Sequence, residues 1–471
     1  MSRCPRVMIS AYASGSGKTT VTCGILQALK NRGVDVAACK CGPDYIDPMF
    51  HKSAIGIFSK NIDLFFEQQE QCISLFKKHA EGRDIVVTEG VMGYYDGLSM
   101  TSASASSYEV AKTLKMPVIL VVNAKGMALS VIAVLKGMIE YRDNSNIQGV
   151  ILNNVSKMVF DSIAPVIESE LGIKALGYLP HDEDITIDSR HLGLVTPENI
   201  SDIKNRLEKL SETVEETIDI DELLRIANKA PELEDDDKYN FRIEADIKKY
   251  KQTLKEKNFS PRIAVAMDEA FCFYYQDNLD ILQEFGCTLV PFSPIRDKAL
   301  PENIDGLILG GGYPELYAEE LSSNKSMLNS IKAALEDNLP CHAECGGYMY
   351  LHNTMEDRQK KKFKMVGFID EDTFKCDKLV RFGYITLSSN EANDFIMKGE
   401  EIKAHEFHYW DSTNNGTVAR AVKPSGKREW KCCHQKKNTF MGYPHLFYYS
   451  NPKFVRRFVD KCVNVTVKTQ A

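Results

Sequence analysis

Short apolar runs separated by helical stretches recur along this chain, and that alternation narrows its fold more than any other feature. Runs at residues 6–11, 34–40, 85–88, 117–123 and 149–153 leave room for a helix between each pair. Strands alternating with helices read as βαβ units, and so as a parallel sheet. Over residues 232–257 the pattern gives way to charge, with Glu232, Glu234, Asp235, Asp236 and Asp237 followed by Lys248, Lys249, Lys251 and Lys255. It restarts at 262–267, 288–292, 306–309 and 339–343. The chain therefore reads as two α/β domains, residues 1–231 and 259–471, joined over 232–258 by a charged linker with some helix. A length of 471 residues agrees, because single cores seldom organise more than about 250–300.

Composition excludes several classes. With 44% hydrophobic and 26% charged residues the chain can build a sizeable core, so disorder is not the theme. A formal charge of −7 argues against a nucleic-acid surface, which needs clustered Lys and Arg. No apolar stretch reaches the roughly 18–20 residues that cross a bilayer; the longest, 117–124, has the length of a buried strand. The N-terminus runs straight into Gly15, Gly17 and Lys18 without a signal peptide's apolar region, so no membrane and a cytoplasmic location are expected. Thirteen cysteines without metal-type spacing read as reduced thiols.

The run 6–11 leads into Ser14, Gly15, Ser16, Gly17, Lys18, Thr19 and Thr20, and a helical pattern follows to Leu29. This is the strand, loop and helix context of a phosphate-binding loop. Glycines let backbone N–H groups wrap phosphates, a lysine reaches the β and γ oxygens, and a hydroxyl can ligate Mg²⁺. Position 12, where the full pattern has glycine, is Tyr12. Such a loop needs a carboxylate at a neighbouring strand end, and Glu89, before Gly90 and the Gly93-to-Gly97 stretch holding Asp96, fits. The plain alternatives are a strand-end cap for Glu89 and an Asp-Gly turn for Asp96. Asp44, Tyr45 and Asp47, between Pro43 and Pro48, should reach the same sheet edge.

In the second half the run 339–343 ends in Glu344, Cys345, Gly346 and Gly347. That is a nucleophile-elbow arrangement, whose glycines should permit a tight turn exposing the thiol at a helix N-terminus, where its pKa falls. Cys345 is the candidate nucleophile, although a lone cysteine is usually a small buried hydrophobe. Backbone N–H groups of Gly311, Gly312 and Gly346 could stabilise an oxyanion. His445 follows Cys345 in the order expected of class I glutamine amidotransferases and is the candidate base, with His408 the runner-up. Their usual pattern continues His-x-Glu, but here the third position is Phe447, which leaves the residue orienting His445 unknown.

Taken in order, the segments 42–48, 89–97, 189–195 (Ser-Arg-His-Leu-Gly-Leu-Val), 266–279 with Phe271, Cys272, Phe273 and Tyr274, 310–317 and 343–347 resemble one family, the cobyrinate a,c-diamide synthases. The resemblance spans nearly the whole chain. It implies a P-loop parallel-sheet domain that binds ATP, Mg²⁺ and a corrinoid tetrapyrrole, followed by a flavodoxin-like, triad-type class I glutamine amidotransferase domain that hydrolyses L-glutamine. Carboxylates would be activated as acyl phosphates and attacked by ammonia. It also implies that Gly15, Ser16, Gly17, Lys18, Thr19 and Thr20 hold the nucleotide. Thr19, Asp47 and Glu89 would hold Mg²⁺, Asp44 and Asp96 would assist catalysis, Tyr45 would meet substrate, and Cys345 would carry a glutamyl thioester. The basic segment 189–195 could meet substrate carboxylates. Tyr12 and Phe447 depart from the pattern. Hydrogenobyrinate and nickel sirohydrochlorin offer similar carboxylates and remain alternative substrates, and a homodimer is an arrangement the resemblance allows. A different class, a P-loop switch with a retired amidotransferase-like domain, would not need the intact Ala-Glu-Cys-Gly-Gly turn.

Overall fold

The computed structural model of the protein describes residues 4–187, 200–234, 237–256 and 258–470. The chain divides into two compact units, Met1–Tyr239 and Asn240–Ala471. The segment 189–195 singled out in the sequence lies outside the described residues.

The first unit is built on seven parallel strands: β1 (Arg6–Ala11), β2 (Val36–Cys41), β3 (Ser59–Ile62), β4 (Ile85–Glu89), β5 (Val118–Asn123), β6 (Ile147–Asn153) and β7 (Lys174–Leu179). Their order is β3-β2-β4-β1-β5-β6-β7. Helices cover both faces, which is why these strands read as unbroken apolar runs. Val7 and Ile9 of β1, Val87 of β4 and Ile119 and Val121 of β5 enter one core. Their neighbours Met8, Val86, Leu120 and Val122 enter the other. Register sets Glu89 opposite both Ile9 of β1 and Lys40 of β2. The chain leaves β1 for β2 on one side and reaches β5 on the other, so the crevice where ligands bind in such sheets opens at the carboxyl end of β1.

The segment read as a charged linker is largely a helix, Asp237–Glu256. Its apolar Ile247 and Leu254 are buried, and Tyr250 Oη donates to Asp460 Oδ1 at 2.6 Å, tying it to the C-terminal helix of the second unit. Sequence charge marked its exposed lysines and hid these buried positions seven residues apart.

The second unit has a parallel sheet of β8 (Arg262–Ala266), β9 (Thr288–Phe292), β10 (Gly306–Leu309) and β11 (Cys341–Glu344), extended at a later point in the chain. Between residues 354 and 436 the chain forms mostly antiparallel strands that the alternation did not predict. β12 (Thr354–Glu356), β13 (Lys362–Lys364), β14 (Asp372–Lys375) and β17 (Trp410–Ser412) make one small sheet, with β12 and β14 the parallel pair among them. β15 (Arg381–Ser389), β16 (Glu401–His408), β18 (Ala419–Val422), β19 (Glu429–Cys432) and β22 (His445–Leu446) make another. These strands are mostly short, and several leave residues partly or fully exposed, so their patterns are weaker signals than the unbroken apolar runs of doubly covered strands. β20 (His434–Lys436) and β21 (Thr439–Gly442) then return to the main sheet, ordered β20-β21-β11-β10-β8-β9, with β21 parallel to β11.

Candidate functional site

In the first unit the site gathers where β1, β2 and β4 end. After β1 the chain turns through Gly15 and Gly17, at φ 75° and 94°, into helix α1 (Lys18–Asn31). Gly17 is required twice, by that φ and because a Cβ there would lie 2.1 Å from the Asn153 amide nitrogen. That amide, at the end of β6, donates to the Ser16 carbonyl at 3.0 Å and braces the loop. Ser16 Oγ donates to Ala13 O at 2.8 Å. The Thr20 hydroxyl turns inward and accepts from Ile187 N at 3.2 Å, whereas the Thr19 hydroxyl donates to Glu89 Oε1 at 2.7 Å. Lys18 Nζ donates to Met92 O at 2.5 Å, reaching the loop after β4. Burial, helped by the nearby Lys40, lowers the Lys18 pKa to about 8.

Lys40 has no counterpart in the sequence reading, yet it organises this edge. Its buried Nζ lies 2.5 Å from Asp47 Oδ2 and 2.8 Å from Glu89 Oε1. Burial opposes its charge, but the two carboxylates outweigh that and hold its pKa well above the usual value. Burial and the Asp47 charge push Glu89 up, against the pull of Lys40. For Asp47 burial loses to Lys40, and its pKa falls. Asp44 is half-buried, its Oδ1 accepts from Ile46 N at 2.8 Å, and burial together with Asp47 raises its pKa. Tyr45 stands at the start of the helix Ile46–Phe50. Asp96 is exposed and accepts from Gly93 N at 2.9 Å. The loop carrying it passes the phosphate loop, since a Cβ on Gly93 would come within 2.7 Å of Tyr12 O. Lys40→Met should destabilise this unit by about 3–5 kcal/mol, because two buried carboxylates lose their shared cation. Urea unfolding measures this, and an unchanged midpoint would refute the role given to Lys40.

In the second unit β11 ends at Glu344 and Cys345 adopts φ 46°, ψ −104° before the short helix Gly346–Tyr350. Glycine is needed two residues on: a Cβ on Gly347 would lie 2.1 Å from Leu309 O. The elbow geometry is present, but the thiol is not exposed. Cys345 is only 7% accessible, and burial pushes its thiol up rather than down. A five-residue helix has too small a dipole to offset that desolvation.

The glycine-rich end of β10 packs over this turn. A Cβ on Gly346 would approach Gly312 N to 3.2 Å, and one on Gly311 would meet His445 Cε1 at 2.3 Å. The amides of Gly310 and Gly347 are committed, to Tyr274 Oη and Gly310 O at 2.9 Å each. His445 is delivered by the turn after β21 and by pairing of β22 with β16, where it faces His405. Burial, with His405, His408 and His342 near it, lowers its pKa to about 3. Glu344, which the sequence reading passed over, places Oε2 3.8 Å from His445 Nδ1. The runner-up His408 stacks on Tyr443 with ring centres 3.9 Å apart, its Nδ1 2.6 Å from Trp410 O.

Three residues therefore escaped sequence reading. Asn153 and Glu344 each end a buried strand and Lys40 stands one residue before the end of another, and a polar residue at the close of a buried strand is the signal that could have found them.

Comparison with known proteins covers both units. Residues 7–195 match the CobQ/CobB/MinD/ParA nucleotide binding domain, and residues 262–453 match the CobB/CobQ-like glutamine amidotransferase domain. The chain is 40% identical over 462 residues to the cobyrinate a,c-diamide synthase of Caldanaerobacter subterraneus subsp. tengcongensis, covering 98% of each protein. It is 38% identical to that of Clostridium tetani, over 97% of this chain and 99% of that one. A relative of the same name from Picrophilus torridus is 38% identical over 98% of this chain and 99% of its own.

Proposed function

The chain belongs to the cobyrinate a,c-diamide synthases, glutamine-dependent amide-forming ligases of cobalamin biosynthesis, and from that premise we propose how its two sites share the reaction. The first unit binds ATP and the corrinoid, and activates the a and c side-chain carboxylates. The second hydrolyses glutamine. The observation that supports the activating role best is the meeting of Lys18, Thr19 and Glu89 at one sheet edge, over a loop braced by Asn153.

In this reading the backbone of Gly15 to Thr20 cradles the phosphates and Lys18 meets the terminal ones. A substrate carboxylate oxygen attacks the γ-phosphorus, the bond to ADP breaks, and an acyl phosphate forms. Ammonia then attacks the acyl carbon, phosphate leaves, and the amide remains after loss of a proton. Asp44, Asp96 and Tyr45 border the space where the substrate side chain would lie.

The residues present suit a magnesium ion. The Thr19 hydroxyl and the Glu89 carboxylate are hard oxygen donors, and the buried Glu89 Oε2 has no hydrogen-bond partner among the described residues. Mg²⁺ prefers one or two such ligands plus phosphates and water, and when bound it would neutralise charge developing on the phosphates. Asp47 is already committed to Lys40, so it would act by holding that lysine between itself and Glu89.

In the second unit His445 takes the thiol proton of Cys345, the thiolate attacks the glutamine amide carbon, the imidazolium returns the proton to the amide nitrogen, and ammonia leaves a glutamyl thioester. Water then hydrolyses the thioester to glutamate. Gly311, Gly312 and Gly346 are the donors proposed for the oxyanion. ATP, glutamine and reduced thiols are what the cytoplasm supplies, and there we place the enzyme. No described helix is long and apolar enough to cross a membrane.

Purified protein given ATP, Mg²⁺ and glutamine should add two amides to cobyrinate, read by mass spectrometry. Hydrogenobyrinate and nickel sirohydrochlorin serve as competing substrates. Faster turnover of either than of cobyrinate would move the assignment of the ring.

A further inference from the structure

A Cys-His pair that forms an imidazolium away from water needs a group to orient the ring and to offset its charge. The position that usually supplies it is Phe447 here, fully buried against Tyr275 and Tyr449 with no polar atom to offer. The geometry points instead to Glu344, the residue immediately before the nucleophile, as the positioning residue for His445; this rests on the glutaminase reading above.

Six contacts around the carboxyl group and its strand carry the assignment. Glu344 Oε2 lies 3.8 Å from His445 Nδ1, a separation that tightens readily when the ring acquires charge. Its other oxygen accepts from the backbone N–H of Leu446 at 2.9 Å, so one carboxyl group addresses both the ring and the strand that bears it. The carboxyl is itself braced by His342, two residues earlier on β11, whose Nε2 lies 3.5 Å from Oε1 and whose Nδ1 lies 2.6 Å from Tyr448 Oη. Finally, Asn278 clamps the same strand end: its Nδ2 donates to Leu446 O at 2.7 Å and its Oδ1 accepts from Tyr448 N at 2.8 Å. The 266–279 segment thereby gains a physical purpose.

The ring orientation follows. His445 presents Cε1 to Gly311, with Nδ1 toward Glu344, and Nε2 is the ring nitrogen assigned here to take the thiol proton. At rest burial favours the neutral form of both groups, holding His445 near 3 and raising Glu344 to about 8. Transfer of the Cys345 proton creates an imidazolium whose Nδ1–H then faces a carboxylate. The ionisable groups around this pair are His342, Tyr274, Tyr448 and Cys345, together with His405 and His408 of β16. Because the carboxylate is the productive form, glutamine hydrolysis should rise with pH through the Glu344 titration.

Glu344→Gln tests this in the full chain, since the amide oxygen can still accept from Leu446 N while the charge is lost. The expected result is a fall in kcat for glutamine hydrolysis of about 100-fold or more. KM for glutamine should stay within about twofold, the alkaline rise should disappear, and ammonia-driven amidation should be retained. Alkylation of the Cys345 peptide, followed by mass, should also slow. Glu344→Asp keeps the charge one methylene further back, so it should recover part of kcat and the pH limb; it also serves if the glutamine variant does not fold. Wild-type kcat and pH profile in Glu344→Gln would overturn the assignment, as would equal loss of glutamine- and ammonia-driven synthesis. Wild-type protein that hydrolyses no glutamine, or whose hydrolysis survives Cys345→Ala, would instead overturn the glutaminase reading itself.

Discussion

Cys345→Ala is expected to remove glutamine-driven amidation by on the order of 10⁴–10⁶-fold while ammonium salts still support synthesis. The thiol is the only atom lost, and alanine adopts the φ 46°, ψ −104° backbone with the same strain that cysteine already bears. The site is 7% accessible and packed among apolar side chains, so the missing sulfur leaves a small cavity and the unit should stay folded. Product mass with glutamine and then with ammonium chloride, on protein whose thermal unfolding matches wild type, decides the matter. Loss of both activities in folded protein would contradict the division of labour between units.

Lys18→Ala should behave differently, lowering synthesis by roughly 10²–10³-fold with either source of nitrogen, because activation precedes amide formation. Its Nζ donates to Met92 O at 2.5 Å, which holds the lysine across the site. Its depressed pKa adds a pH dependence whose sign can be stated. The protonated form is the one that meets phosphate, and it declines as pH rises through about 8. Nucleotide affinity should therefore weaken above that pH, and the variant should lose this limb along with most of its affinity. Calorimetric titration with ATP at pH 7 and pH 9 measures both. Unchanged turnover in the variant would sink the phosphate assignment.

Much of this was legible from local pattern. The phosphate loop announces itself because Gly15 and Gly17 must take positive φ and Lys18 must follow them at once. The elbow at Cys345 does so because Gly347 passes against Leu309 O. What was misread has a physical cause as well. Exposure of the thiol was inferred from the turn, but Cys345 is packed in a core that includes Tyr443, and the glycine-rich loop after β10 closes over its turn, both from distant parts of the chain.

The sequence by itself determined two α/β units, the loops at their strand ends and the order of the candidate site residues, since these depend on neighbours a few positions apart. Only the tertiary structure decided what those residues face. Lys40 meets Glu89 because β2 pairs with β4, Asn153 reaches Ser16 across the sheet from β6, and Glu344 finds His445 because β22 folds back beside the end of β11. Parallel pairing joins positions tens to more than a hundred residues apart, and buried charge is settled by such partners rather than by spacing.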